Sequence, residues 1–234
     1  MRALADEALL SLWERGDGRP PVERALLMLA AALPEHDAES RTRLPIGARD
    51  AAILRLRRAT FGARLESRLA CPQCAEPLEF ELDVGALIPD AAPAESEFVL
   101  DNGLRFRLPD SRDLAAIAHH GDADAAARDL LRRCCLNAPD ASDWSPALLE
   151  AAEARMAALE SAADIALRFE CVACGAAWSE RLGVADYVWD EIAERARRLL
   201  DEVHWLAAHY GWSEQHILSM SAARRGAYLQ RCLA

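Results

Sequence analysis

Residues 68–84 read RLACPQCAEPLEFELDV, and residues 168–184 read RFECVACGAAWSERLGV. The two stretches align without a gap: Cys71 falls on Cys171, Cys74 on Cys174, Leu82 on Leu182 and Val84 on Val184. Each holds a Cys-x-x-Cys knuckle between two short runs of strand character. Leu78, Phe80 and Leu82 alternate with Glu79, Glu81 and Asp83, the period of a strand with one buried face. Ile165, Leu167 and Phe169 lead into the second knuckle in the same way. A two-residue spacer lets both sulfurs of a knuckle reach one ion at about 2.3 Å, and two knuckles complete a tetrahedron. Four thiolates crowd four negative charges together, so an ion is needed to hold them. The pattern predicts a closed site with Cys71, Cys74, Cys171 and Cys174 as ligands and a structural Zn2+ as cofactor. Its halves lie about 100 residues apart, far beyond ordinary zinc-ribbon spacing. The chain between them therefore reads as an insertion.

Other chemistries lack their signatures. A redox dithiol needs its motif to open a helix in a βαβ setting, and neither copy has one. A catalytic zinc keeps an open ligand position, whereas four matched cysteines close the site. No His-x-x-x-His pair, Gly-rich phosphate loop, Gly-x-Ser-x-Gly elbow or kinase signature occurs. A zinc hydrolase or redox enzyme is thus the minority reading, and the expectation is a protein that is not an enzyme. The remaining cysteines, Cys134, Cys135 and Cys232, sit in helix-like apolar settings and read as small buried hydrophobes. Seven cysteines, an odd number, and an N-terminus unlike a secretory signal argue against a disulfide framework and for a cytoplasmic location.

Composition narrows the partners. The 234 residues are 52% hydrophobic and 28% charged, a globular balance. No apolar run approaches the ~20 residues of a membrane helix. The net charge is -11, and every basic residue is arginine. A field of that sign repels phosphates unless a local basic face overcomes it. Neither a membrane, a nucleic acid nor a small-molecule substrate is an expected partner.

Working outward from the knuckles, residues 1–62 predict helices over Ala3–Glu14, Val22–Leu33 and Gly47–Phe61, with a polar loop Glu35–Arg43 and Gly62 as C-cap. The insertion, residues 89–163, begins with a linker Pro89–Ser96. Asp101-Asn102-Gly103 between apolar runs predicts a hairpin. Helices follow over Leu114–His120 with Ser111 as N-cap, over Asp122–Leu136, and from Pro146 to about Ala162 after the loop Asn137–Ser145. After the second knuckle, Val188, Ile192, Ala196, Leu199, Val203, Leu206 and Tyr210 form one apolar stripe over Ala185–His209. A short helix capped by Ser213 and a last helix, Ala222–Leu233, complete the chain. The expected fold class is α+β: a four-cysteine zinc-ribbon-like β core with a long hairpin and helical insertion, flanked by N- and C-terminal helices. The expected division is 1–62, 63–186 with the insertion 89–163, and 187–234.

Two surfaces are candidates for contact. Arg55, Arg57 and Arg58 cluster on the third helix and could meet an acidic partner, although a solvated helix face is the plainer reading. Together with Arg49 they are what a zinc-ribbon nucleic-acid adaptor, the alternative function, would use. Trp212, Arg224, Arg225 and Tyr228 belong to the residue types enriched at interfaces.

The order CPQC–AEPLEFELDV, FVLDNGLRFRLPDSRDL, LLRRCCL and ADIALRFECVACGAAWSERL resembles the T-even-phage baseplate family, whose members are baseplate hub or hub-assembly (chaperone) proteins of contractile tails. The ending LLDEVHWLAAHYGWSEQHILSMSAARRGAYLQ resembles a tail-associated segment found near phage-like and contractile injection loci. The resemblance covers roughly residues 44–230. It implies no catalytic residues, a structural zinc, other baseplate or tail proteins as partners, and association with a virion or injection particle.

Overall fold

Each knuckle sits at the tip of its own hairpin. In the computed structural model, which describes residues 2–89, 95–137, 144–160 and 162–232, β1 (Arg64–Ala70) pairs antiparallel with β2 (Pro77–Asp83), with Leu65 opposite Leu82 and Leu69 opposite Leu78. A hundred residues on, β5 (Ile165–Glu170) pairs with β6 (Ala177–Leu182), with Ile165 opposite Leu182 and Phe169 opposite Trp178. The register of the second hairpin reproduces that of the first. In each, the second strand is followed by a helix whose first residue, Val84 or Val184, is buried, at once in the first hairpin and after Gly183 in the second. The alternation read along residues 78–83 is the burial pattern observed in β2.

The hairpins are held by helices on one side. Helices α1 (Asp6–Gly16), α2 (Pro21–Ala32), α4 (Ile46–Phe61) and the 27-residue α9 (Val184–Tyr210) share one apolar core. It is built from Leu9, Leu12, Met28, Leu29, Ile53, Leu56, Ile192 and Leu199 with their neighbours. At 1.5 Å per residue α9 is about 40 Å long, and Gly211, in the left-handed region at φ 70°, ends it. Leu65, Val84 and Val184 join the same core. Gly16 meets the six-membered ring of Trp189 so closely that a β-carbon there would lie 2.2 Å from the indole. The polar loop expected over residues 35–43 contains a short helix, α3 (Ala38–Thr42), started by the Asp37 carboxylate accepting from the Ser40 N–H. A further turn, α5 (Val84–Leu87), follows β2.

The insertion has a core of its own. Its hairpin, β3 (Glu97–Val99) and β4 (Arg105–Arg107), closes through a loop in which the Gly103 N–H donates to the Leu100 carbonyl, with Gly103 at φ 83°. This is the three-residue loop with a left-handed glycine. Phe98 stacks on Phe106 at 5.5 Å, and Leu131, Cys134, Cys135 and Met156 pack around them. Cys134 and Cys135 are buried, as small hydrophobes are. Helix α6 (Ser111–Ile117) starts from Asp110 rather than Ser111: the Asp110 carboxylate accepts from Arg112 and Asp113, and Asp113 answers with a bond to the Asp110 N–H. Carboxylate capping wins because Arg107 and Arg112 neutralise the two aspartates. Helix α7 (Ala123–Cys134) is capped by Asp122, and α8 (Pro146–Leu159) by Ser145 with Pro146 in the first turn. Residues 90–94 of the linker, 138–143 of the loop, and Leu233 lie outside the described residues.

The architecture is α+β: helices with three separate two-stranded antiparallel sheets among the described residues. No described helix is long and apolar enough to cross a membrane. The last elements, α10 (Glu214–Leu218) and α11 (Ala222–Cys232), pack on α9. Their anchor is Arg225, which is fully buried. Its guanidinium donates to Glu202 of α9, to Asp6 of α1 and to the Met220 carbonyl. This corrects the reading of Arg225 as an interface residue: the side chain has no surface to offer a partner. Arg225→Met should lower stability by about 2 kcal/mol in urea unfolding. That lies below the range for fully buried pairs because Asp6 and Glu202 keep partial access to water.

The insertion meets α4 through polar groups. The Gly47 N–H donates to Glu160 Oε1 at 2.9 Å, the Ile46 N–H to the Pro109 carbonyl, and Arg49 pairs with Asp50 at 2.7 Å while reaching Ser111. Burial pushes the Glu160 carboxyl up to about 7, with Asp50 adding to the rise, while the Gly47 N–H and Arg49 oppose it. The unfolded chain ionises Glu160 first, so this group's contribution to stability is full at low pH and is lost as pH rises from 4.5 to about 7. Glu160→Gln keeps an acceptor for Gly47 and removes the titration. Its stability relative to the parent should therefore rise between about pH 5 and about pH 8 in paired urea melts.

Candidate metal centre

The four knuckle cysteines converge at the tips of the two hairpins. Their sulfur atoms all lie within 4.8 Å of one another. Cys71 Sγ is 3.7 Å from Cys174 Sγ, and Cys74 Sγ is 3.6 Å from Cys171 Sγ. These separations are far too long for a disulfide, whose S–S bond is about 2.05 Å. They match a tetrahedron: metal–sulfur bonds of about 2.3 Å put neighbouring sulfurs about 3.8 Å apart. Each close pair joins one knuckle to the other, so an ion at the centre would tie the two hairpins together.

The local backbone explains why each knuckle presents two sulfurs inward. In the first, the Cys71 N–H donates to the Glu76 carbonyl and the Ala75 N–H to the Cys71 carbonyl. In the second, Cys171 N–H to Ala176 and Gly175 N–H to Cys171 repeat those bonds. Both turns reverse through a left-handed residue, Ala75 at φ 59° and Gly175 at φ 73°. Neither knuckle opens a helix, the geometry a redox dithiol would require. The first cysteine of each pair is buried and the second exposed. Behind the knuckles Phe80 meets Phe169 edge to face at 5.0 Å, and Phe169 lies 5.6 Å from Trp178. This aromatic contact bridges the two hairpins, which share no strand pairing.

Electrostatics agrees with a cation. Burial opposes ionisation of Cys71, but the N–H groups of Cys74 and Gln73 and the neighbouring sulfurs outweigh it and bring the thiol down to about 7. The Glu76 N–H favours the Cys74 thiolate, yet the sulfurs of Cys174, Cys171 and Cys71, with burial, push that thiol up to about 12. Once one sulfur is ionised, its neighbours resist. Only a positive ion lets four thiolates coexist at this spacing. The residues present therefore fit a four-sulfur metal ion.

The other candidate residues are dispersed. Arg57 is buried, forks onto Glu191 at 2.7 and 2.8 Å, and donates to the Gly62 and Arg64 carbonyls. It is a strut between α4, β1 and α9, which corrects its reading as a partner contact. Arg49 is buried against Asp50, so it too is lost to the nucleic-acid adaptor reading. Both lie on the inner side of a helix buried on most of its faces, and each guanidinium is accommodated there because a carboxylate meets it. Arg55 and Arg58 are exposed, and Arg55 reaches the Pro89 carbonyl. Trp212, Arg224 and Tyr228 do come together: Trp212 is 4.8 Å from Tyr228, and Arg224 lies over the Tyr228 ring.

Comparison with protein families places this architecture. A family model described as T4 bacteriophage base plate protein matches residues 9–143, more than half of the chain. The chain belongs to that family, and with it to the structural components of T4-like phage tails. The match takes in residues 9–43, which the sequence resemblance left aside, and ends before the second knuckle. Searches of curated proteins and of solved structures gave no match.

Elemental analysis of the purified chain should give about one zinc per molecule. Cys74→Ser and Cys171→Ser should each abolish it and lower the melting temperature. A chain that stays metal-free, or melts unchanged in chelator, would remove the metal from the account.

Proposed function

We propose that this protein is a non-enzymatic structural or assembly component, a chaperone or adaptor, of a phage-like contractile tail baseplate or injection system. The family match over residues 9–143 carries the reading. In it, Cys71, Cys74, Cys171 and Cys174 hold a structural zinc as the apex of a zinc-ribbon-like unit, residues 63–186, interrupted by the insertion 89–163. The helical regions 1–62 and 187–234 flank that unit and seat it. The closed donor set supports a structural rather than catalytic ion, since four sulfurs leave no position for a substrate or water. Its partners are other baseplate or tail proteins, met in the cytoplasm during assembly or on the finished particle.

The test is reconstitution. Tagged protein, co-expressed with the sheath, tube and baseplate proteins of its own locus, is expected to co-sediment with tail particles or baseplate intermediates. Deleting its gene should reduce the yield of assembled tails. Full-yield assembly without it, with the tagged chain left in the monomer fractions, would overturn the proposal.

A further inference from the structure

The far end of α9 carries a group of aromatic side chains that belongs to neither apolar core among the described residues. Tyr210 stacks on Trp212 with ring centroids 4.5 Å apart, and Trp212 meets Tyr228 of α11 at 4.8 Å and 81°. His216 lies against Trp212 at 5.7 Å and 65°. All four side chains keep contact with solvent. Rings that only finished a core would be covered by aliphatic neighbours. These pack on one another and form an angled corner at the surface.

The sequence that forms the corner differs in charge from the chain as a whole. Net charge is -11, yet residues 203–232 contain three arginines and a single acidic residue, Glu214. Arg225 is consumed inside by Asp6 and Glu202. Arg224 and Arg231 are exposed. Arg224 lies 5.9 Å over the Tyr228 ring and Arg231 donates to the Ala227 carbonyl; neither forms an ion pair among the described residues. A basic, aromatic tip on an acidic protein is complementary to an acidic polypeptide.

We propose that Trp212 and Tyr228, rimmed by Arg224 and Arg231, form a docking site for an acidic peptide segment carrying proline or an aromatic residue. The apolar side chain enters the angle between the rings, as proline-rich segments enter aromatic grooves. Its flanking carboxylates meet the two guanidinium groups. A single-stranded nucleic acid fits less well. The faces of Tyr210 and Trp212 are already stacked on each other, so few are left for the successive bases of a strand, and a strand with a phosphate at every nucleotide meets more repulsion from the rest of the chain than a short peptide with spaced carboxylates. The proposal deepens the reading of the chain as a tail component and rests on it only for which protein bears the segment.

The experiment uses the full chain and defined probes, so its failure leaves particle association untouched. A fluorescein-labelled peptide of repeating Glu-Pro-Tyr-Glu units is titrated by anisotropy, beside its Lys-for-Glu counterpart and an oligothymidine. The acidic peptide should bind, and the Lys peptide should not. Arg224→Glu, at an exposed position, and Trp212→Ala should each weaken binding by about tenfold or more. Arg224→Glu should also gain affinity for the Lys peptide, a reversal that loss of fold would not produce. Absence of binding by the acidic peptide, binding indifferent to Arg224→Glu, or tighter binding of oligothymidine would each overturn the assignment.

Discussion

Four sulfur atoms drawn to within 4.8 Å of one another set the geometry of this protein. They belong to segments 97 to 103 residues apart, so their meeting closes the whole insertion into a loop. Closing so long a loop costs conformational entropy that grows only slowly with its length. A metal–thiolate cluster, which these four sulfurs fit, would be strong enough to meet that cost. The Phe80–Phe169 contact lies just behind the sulfurs and adds an apolar hold. The two hairpins can therefore lean together without sharing a strand edge.

What the clamp presents depends on what lies below it. Leu65, Val84 and Val184 lead from the hairpins straight into the core formed by α1, α2, α4 and α9. Arg57 bridges β1 and α9 from within α4, and Arg225 ties α11 to α9 and to the first turn of α1. The segments before and after the knuckles are thus joined in one packed body. The insertion keeps its own aromatic core and meets that body through polar contacts at Gly47, Arg49 and Glu160. The insertion is thus a small apolar unit carried by a helical body, with α6 also packed on α2. The chain's family is one of structural tail proteins.

The periodic elements were legible in the sequence because their signals are local. Strand alternation over residues 78–83, the apolar stripe of α9 and the glycines at 62, 103 and 211 act within a few residues of themselves. The cysteine set was legible because a duplicated knuckle is a pattern of spacing. Less legible were the short helix α3 and the choice of Asp110 over Ser111 as a cap. That choice follows from Arg107 and Arg112 standing beside the aspartates. The left-handed backbone at Ala75 carried no glycine to announce it, although Gly175 at the matching place hinted at it.

The arginines mark the boundary most clearly. Arg55, Arg57 and Arg58 look alike as sequence, and so do Arg224 and Arg225. The sequence by itself determined the paired knuckles, the α+β class and the order of elements, since these rest on spacing and periodicity. Only the tertiary structure decided that Arg57 and Arg225 turn inward while Arg55, Arg58 and Arg224 remain outside. A guanidinium is buried where a carboxylate meets it, and for Arg57 and Arg225 the carboxylates come from other segments of the chain. Glu191, Glu202 and Asp6 are brought there by packing, 134, 23 and 219 residues away along the chain.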